Sequence, residues 1–289
     1  MNLAVRWPSA PATLANSWNL SSLKNHAVLV FLVFFALSPL YALIVNSFKS
    51  RVQIAFSPFG LPKRWLFSNF NIAWERGDFA TSLPNSIVLA TATIVLVLLF
   101  AGLAAFALAR LRLPGANYLA FYFLVTIAVP PQFYMVPLFF LWRSLGMLNT
   151  FHGMIIIYVA IYSPFAIYLL RSYMVSIPEE FVDAARIDGA GNWQVFRRLI
   201  LPLSWPGYMT AGLVVGLSVW NEFLFAQTFM PRPELNTVAT SLAAFQQRGG
   251  RQWGLTNAAS VIMITPVIVL FLALQRRFIH GLTQGGLKA

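Results

Sequence analysis

Half of the 8 acidic residues in this chain fall in one short segment: Glu179, Glu180, Asp183 and Asp188. They occupy a charged interruption, 171–206, between long apolar runs. Ser176 is placed to cap a helix beginning near Pro178, and Glu179 and Glu180 would lie beside its positive end, where their charge is favourable. Ile177, Phe181, Ala184 and Ala185 then recur at helical spacing, while Glu180, Asp183 and Arg186 can stay wet. The two alanines would let another surface approach closely. Gly189 and Gly191 stop or redirect this helix. A second short helix is expected over 192–200, with Trp193, Phe196 and Ile200 on one stripe, Arg197 and Arg198 free for lipid headgroups, and Pro202 as its end. Two readings of the element compete. One is a hairpin on the lipid surface that only joins two spans; the other is a docking element for a cytosolic partner, since the first helix is less basic than a typical membrane-surface helix. Periodicity does not separate them.

A further carboxylate stands alone. Glu222 falls inside an apolar run, beside Trp220, Asn221 and Phe223. An acid at such depth is expected to face protein or water. It would act there as a structural or gating hydrogen-bond acceptor, touch a solute, or sit as an ordinary interfacial carboxylate. Asn221, Glu222 and Phe223 are thus candidates for a gate or solute path, while Trp220 fits an interfacial anchor as well. Little else carries chemistry. His26, His152 and His280 lie too far apart to suggest a metal site, and the chain has no cysteine. No Gly-rich Lys-Ser/Thr phosphate loop is present. Neither catalytic residues nor a bound metal or cofactor is expected in this chain.

The elements that position these residues are membrane helices. Hydrophobic residues make up 58% of the 289 and charged residues 10%, with a mean hydropathy of +0.70; a soluble chain carries about 25% charged residues. Charge-free intervals cover 25–48, 79–109, 113–142, 144–170, 199–221 and 252–275. Each accommodates a helix of about 20 residues, enough to cross a bilayer core about 30 Å thick. The reading is an all-α polytopic membrane protein with six transmembrane helices, their cores near 27–47, 86–108, 118–141, 151–170, 207–227 and 258–276. The first run is too long for a signal-peptide core. Pro130, Pro131 and Pro137 interrupt the third span, which is tolerated at depth only where protein or a polar cavity satisfies the backbone. Ser82 and Asn85 could cap the second.

Arg110, Arg112, Arg276 and Arg277 favour both termini on the cytoplasmic side. The external segments are then about 48–85, 142–150 and 228–257, and the 171–206 loop is cytoplasmic. The formal charge of +12 is scattered along loops, which suits anionic membrane lipids better than nucleic acid. The six-helix transmembrane body is 27–276, including the 171–206 loop, flanked by a cytoplasmic N-terminal segment, 1–26, and tail, 277–289.

The charged loop also carries a pattern. It resembles the signature of the inner-membrane permease subunits of ATP-binding-cassette importers, which runs Glu-Ala-Ala, three residues, Gly, nine residues, Ile, one residue, Leu-Pro. Here it reads Asp183-Ala184-Ala185, Gly189, Leu199 and Leu201-Pro202, with Asp for Glu and Leu for Ile. Stretches over most of the chain are similar to the carbohydrate-uptake, MalG-like branch: Asn85-Ser86, 131–137, 146–150, 187–190, 220–223, 275–278 and 281–288.

The resemblance implies a noncatalytic subunit paired with a second, related permease. It further implies two cytosolic ATPase subunits, which hold the ATP and Mg, and an extracytoplasmic solute-binding protein that delivers a sugar or sugar-like solute. Pro178, Glu179, Phe181, Asp183, Ala184, Ala185, Asp188, Gly189, Leu201 and Pro202 would belong to the ATPase coupling element, a cytoplasmic coupling helix between helices four and five. The third external loop would approach the binding protein, with Phe245, Gln246, Gln247, Arg248 and Trp253 as exposed candidates and Gly249 and Gly250 giving freedom. A permease for a non-sugar polar solute and a nontransporting membrane scaffold are the alternatives.

Overall fold

The computed structural model describes residues 20–111, 113–248 and 252–285. Their regular structure is helical, in chain order α1 (Leu20–Ser47), α2 (Arg51–Phe56), α3 (Ser68–Arg76), α4 (Phe79–Arg110), α5 (Ala116–Ala128), α6 (Met135–Ser144) and α7 (Phe151–Val175). The second half holds α8 (Glu179–Ile187), α9 (Asn192–Val195), α10 (Leu201–Leu203), α11 (Trp205–Asn221), α12 (Leu224–Phe229), α13 (Val238–Arg248) and α14 (Trp253–Gly285). Four helices, α1, α4, α7 and α14, are long and apolar enough to cross a membrane, and two bent pairs raise the count to as many as six.

The bends follow from backbone chemistry. Between α5 and the 3₁₀ turn Pro131–Tyr134 the path turns by 88°. Val129 is extended there, at φ −82° and ψ 117°, because the ring of Pro130 disfavours helical geometry in the residue before it. The prolines at 130 and 131 therefore break the third span. Pro137 does not, since it lies in the first turn of α6, where a missing N–H costs little. A second bend, of 73°, separates the run Asn192–Leu203 from α11. Pro202 was expected to end the first of these, yet it sits inside α10; the chain turns at Ser204, which is buried.

The main core lies where α4 runs along α7 and α11 packs on both. Leu89, Val97, Ala101 and Ala105 of α4 meet Met154, Ile157, Ile167 and Leu170 of α7 and Ala211 and Val215 of α11. Burying a side chain of the Leu class stabilises by about 1.5–3 kcal/mol against water. In lipid that term vanishes, so close packing and backbone approach hold the helices instead. Gly207 of α11 provides such an approach: a Cβ there would stand 2.7 Å from the Tyr173 ring.

A smaller apolar cluster joins Ala73 of α3, Phe79 of α4, Trp220 of α11, Val238 and Phe245 of α13, and Ala258 and Ala259 of α14. Beside it, the turn after α1 closes around a buried Lys49. Its Nζ donates to Asn46 Oδ1 at 2.9 Å, to Ser57 O at 2.8 Å and to Pro58 O at 3.3 Å, and burial lowers its pKa. Asn69 Nδ2 adds bonds to Ser47 O at 2.8 Å and Lys49 O at 3.1 Å. Lys49, which marked the end of the first span in the sequence, is thus an organising cation of the turn.

Candidate coupling surface and gate

The charged loop folds as helix, turn and helix. Ser176 does not cap α8. It ends α7 instead, donating from Oγ to Tyr173 O at 2.8 Å, and Pro178 is the N-cap residue, with no side-chain cap bond. Two glutamates in the first turn, Glu179 and Glu180, complement the helix dipole in its place. The buried face also differs from the expected stripe. Ile177 and Val182 turn inward, whereas Phe181 is 54% exposed and Ile187 87% exposed. Asp183, Ala184 and Asp188 are exposed as well, and Ala185 is half-buried.

Gly189 terminates α8 at φ +82°, a left-handed conformation that a side chain enters only with strain. The backbone returns through Ala190 N to Ala185 O at 2.9 Å. Gln194 Oε1 accepts from Gly191 N at 2.9 Å and starts α9. After it, Phe196–Ile200 forms a π turn that buries Phe196 and Ile200 and leaves Trp193 61% exposed. Arg197 and Arg198 are exposed, Leu201 is half-buried and Pro202 is exposed. The element therefore hangs from the bundle by Ile177, Val182, Phe196 and Ile200 and presents Phe181, Asp183, Ile187, Asp188 and Trp193 outward.

Glu222 sits at a break rather than within a helix. α11 stops at Asn221, Glu222 is extended at φ −71° and ψ 124°, and α12 begins two residues later. Its Oε1 accepts from Phe225 N at 2.8 Å, while Oε2 accepts from Ala226 N at 3.0 Å and from the Tyr158 hydroxyl at 2.7 Å. Amides at a helix start have no partner within the helix, so a carboxylate at this spot satisfies them and meets the positive helix end. Asn221 Nδ2 bonds only to Leu217 O of its own helix, at 2.8 Å, and Phe223 is half-buried. Trp220 is no surface anchor. It is buried, and its Nε1 donates to Met263 O of α14 at 3.2 Å.

The segment expected to form the third external loop is mostly helical, comprising α12, a 3₁₀ turn at Pro233–Leu235 and α13. Phe245 is 4% exposed and fills the smaller core cluster, so it is not an exposed candidate. The 3.6-residue period of α13, which no loop reading takes into account, turns it inward. Gln246 and Trp253 are exposed, and Gln247 and Arg248 complete the backbone of α13. Gly249 and Gly250 lie outside the described residues. Ser82 and Asn85 are not caps, because α4 begins earlier, at Phe79. Instead, Asn85 Nδ2 donates to Glu234 O at 2.9 Å and Asn236 O at 3.0 Å, and Ser86 Oγ accepts from Val238 N at 2.8 Å. Replacing Asn85 with Ala is expected to free the 234–238 segment while leaving the bundle folded. The check is hydrogen exchange on detergent-solubilised protein, with faster exchange at 234–240 and unchanged exchange in α7.

Three residues escaped the sequence reading. Tyr158 looked like one more apolar position of a span. Arg110 looked like an orientation charge, but it is buried, and its Nη2 donates to Met174 O and Ile177 O. Asn85 was placed at the right helix with the wrong task. A polar side chain on the core-facing stripe was the available signal for Tyr158 and Arg110. Among the described residues, no group of three or more His, Cys, Asp or Glu side chains is arranged to hold a metal.

Residues 98–284 match the family described as binding-protein-dependent transport system inner membrane component. The diacetylchitobiose uptake system permease protein NgcG of Streptomyces coelicolor is 32% identical over 263 residues, covering 90% of this chain and 87% of that protein. The melibiose/raffinose/stachyose import permease protein MelC of Bacillus subtilis is 35% identical over 252 residues, 86% of this chain and 91% of its own. For the sulfoquinovosyl glycerol transport system permease protein SmoH of Agrobacterium fabrum, identity is 32% over 286 residues, 96% of this chain and 99% of that one. Among solved structures, a bacterial ABC transporter involved in import of the acidic polysaccharide alginate contains a chain that superposes with a TM-score of 0.76. It is 26% identical and covers 93% of this chain and 100% of its own. The chain therefore belongs to the binding-protein-dependent transport system inner membrane components, as a permease subunit in the carbohydrate-uptake branch of the ABC importers.

Proposed function

We propose that this chain forms half of the pathway by which a sugar or sugar-like solute crosses the membrane, with α8 as the helix that receives the motion of a cytosolic ATPase. The observation that carries the coupling role is the exposed face of α8, where Phe181 and Ile187 stand beside Asp183 and Asp188 on an element that hangs outside the bundle. Apolar side chains rimmed by charge suit burial against a protein better than against water. In this reading both termini and 171–206 are cytoplasmic, a related permease supplies the other half, and two ATPase subunits hold the ATP and Mg. The 27–276 body is then a single permease domain. Carbohydrate as cargo is supported by what the three relatives are described as carrying. The MalG-like signature supports α8 as the coupling helix between the fourth and fifth spans.

The break at Asn221, Glu222 and Phe223 serves as a gate hinge in this scheme. On the external side, Gln246, Gln247, Arg248 and Trp253 approach the solute-binding protein, with Phe245 holding α13 in place behind them. Deleting 246–252 is expected to lower binding-protein-dependent uptake several-fold while the complex still assembles. Unchanged uptake in an assembled deletion variant would remove that contact.

The whole reading is tested by purifying the intact membrane complex, identifying its subunits and measuring uptake into proteoliposomes with a panel of sugars. Recovery of a second permease, an ATPase and a binding protein, with ATP-dependent uptake of at least one sugar, is the expected result. Turnover confined to amino acids or phosphate esters would shift the cargo to a non-sugar solute. ATPase binding without solute-dependent turnover would leave a scaffold.

A further inference from the structure

Arg110 and Asn85 occupy the two ends of the same helix, and each grips a different functional region. At one end, the Arg110 guanidinium donates to the carbonyls of Met174 and Ile177, which frame the passage from α7 into α8. Met174 lies in the last turn of α7 and Ile177 just past it, and a cation at a helix C-terminus is favoured by the dipole. Arg110 is 8% exposed, and Glu179 of the first turn of α8 acts on it electrostatically. Arg110, Leu113 and Ala116 share a cavity of about 120 Å³ with Glu179, Asp183 and Arg186. At the other end, Asn85 and Ser86 hold Glu234, Asn236 and Val238 at the start of α13.

Between these grips the helix is uninterrupted. The proline within α4 is Pro84, before the first of them. From Asn85 to Arg110 the rise of an α-helix gives a separation of about 37 Å, more than a bilayer core. The buried face of this stretch is small where α11 crosses it: Gly102 lies against Tyr208 with no room for a Cβ.

We infer that α4 is a connecting rod: Arg110 joins it rigidly to the start of α8, and Asn85 joins it to the segment leading into α13, so a displacement of α8 reaches the opposite membrane face through α4. This rests on the docking role of α8 proposed above. Arg110 is a positioning residue in this scheme and touches neither solute nor nucleotide. A guanidinium suits the joint because it stays charged and carries several donors in a fixed plane. A Lys ammonium also offers three donors and should restore part of the joint.

The test uses the complete complex in proteoliposomes. Arg110→Met is expected to reduce solute taken up per ATP hydrolysed at least tenfold, and Arg110→Lys to recover a substantial part of it. An Ile187→Cys probe on α8 should still cross-link to the ATPase in both backgrounds. Failure of the probe to cross-link in the otherwise unaltered chain overturns the docking role, and the rod with it. Retained cross-linking with undiminished uptake per ATP in Arg110→Met overturns the rod alone. A second measurement decides the matter if Arg110→Met does not assemble. The chain has no native cysteine, so Ala109→Cys with Arg186→Cys can be bridged by a short bismaleimide across the cavity that both line. If the α4 end and α8 move together, the bridged complex keeps its uptake; a block of uptake shows that they move apart and sinks the rod.

Discussion

Reversing Asp183 to Lys while replacing Gly189 with Trp is expected to uncouple uptake from ATP hydrolysis without preventing membrane insertion. Asp183 is exposed on α8, and Gly189 is exposed at its end, with open space where a Cβ would be built. Neither change disturbs the bundle directly. At a docked interface, however, charge reversal places like charges together or strands a partner, at a cost of several kcal/mol. Each 1.4 kcal/mol is a factor of about ten in an equilibrium constant. The second change acts through the backbone: φ at Gly189 is +82°, and an L-residue held in such a conformation costs roughly 1–2 kcal/mol. The loop would relieve that strain by re-aiming α9, and a Trp at the end of α8 would also obstruct close approach. Uptake should therefore fall about thirtyfold or more, as follows from a penalty of roughly 2–5 kcal/mol. Membrane fractionation confirms insertion, and paired ATPase and uptake assays read the coupling. A double variant with normal stimulated ATPase activity and normal uptake would remove α8 from the transmission path.

The second large effect is expected at Glu222. Glu222→Leu strips acceptors from three donors at once, the amides of Phe225 and Ala226 and the hydroxyl of Tyr158. A buried donor left without a partner costs roughly 1–3 kcal/mol. Tyr158 is fully buried on α7, so its hydroxyl has no route to water by a simple rotamer change. We expect α12 to lose its start and uptake to fall to background, with a lower unfolding temperature in detergent. Glu222→Gln keeps a carbonyl oxygen and should retain part of both. Tyr158→Phe removes a single bond and should be milder than Glu222→Leu. This ordering separates a hinge anchor from a solute contact. For a solute contact, Glu222→Gln and Glu222→Leu would both raise the KM, and Tyr158→Phe would leave the unfolding temperature untouched. Comparison of KM, maximal uptake and melting for the three variants decides between them.

Charge-free length carried the spans into view, because the cost of burying charge leaves a plain trace in sequence. The prolines at 130 and 131 did the same for the break in the third span. Helix starts were harder. Ser176, Ser82 and Asn85 each look like caps by type, yet Ser176 closes α7 by bonding backward to Tyr173 O and Asn85 bonds to a distant segment. Which of these tasks a side chain performs depends on where the helix begins, and apolar periodicity in a membrane protein blurs that start. The charged 171–206 element was legible as helix, turn and helix, but not by face. Phe181 has the composition of a core residue and points outward, while Val182 next to it is buried. No local rule predicts which of two adjacent apolar side chains stays exposed. Long-range polar bonds were invisible altogether. Tyr158 with Glu222, Arg110 with Met174 and Asn85 with Glu234 are all pairs far apart in sequence, fixed by the packing of helices whose rotations the sequence leaves open.

One helix stands apart from this economy of contacts. Among the described residues, much of the N-terminal length of α1 is exposed, with Phe34 at 75% exposure and Phe35 at 68%. Its lower end, by contrast, is pinned through Ser47 and Lys49. The two halves of α1 are therefore under different genetic constraint. An apolar-for-apolar change at Phe34 or Phe35 should be silent in the isolated subunit, whereas one at the buried Val45 should register there. Any phenotype at the outer positions would be conditional, arising only when another chain or a particular lipid lies against them. Alleles of this kind would map neighbours that the chain itself does not contain.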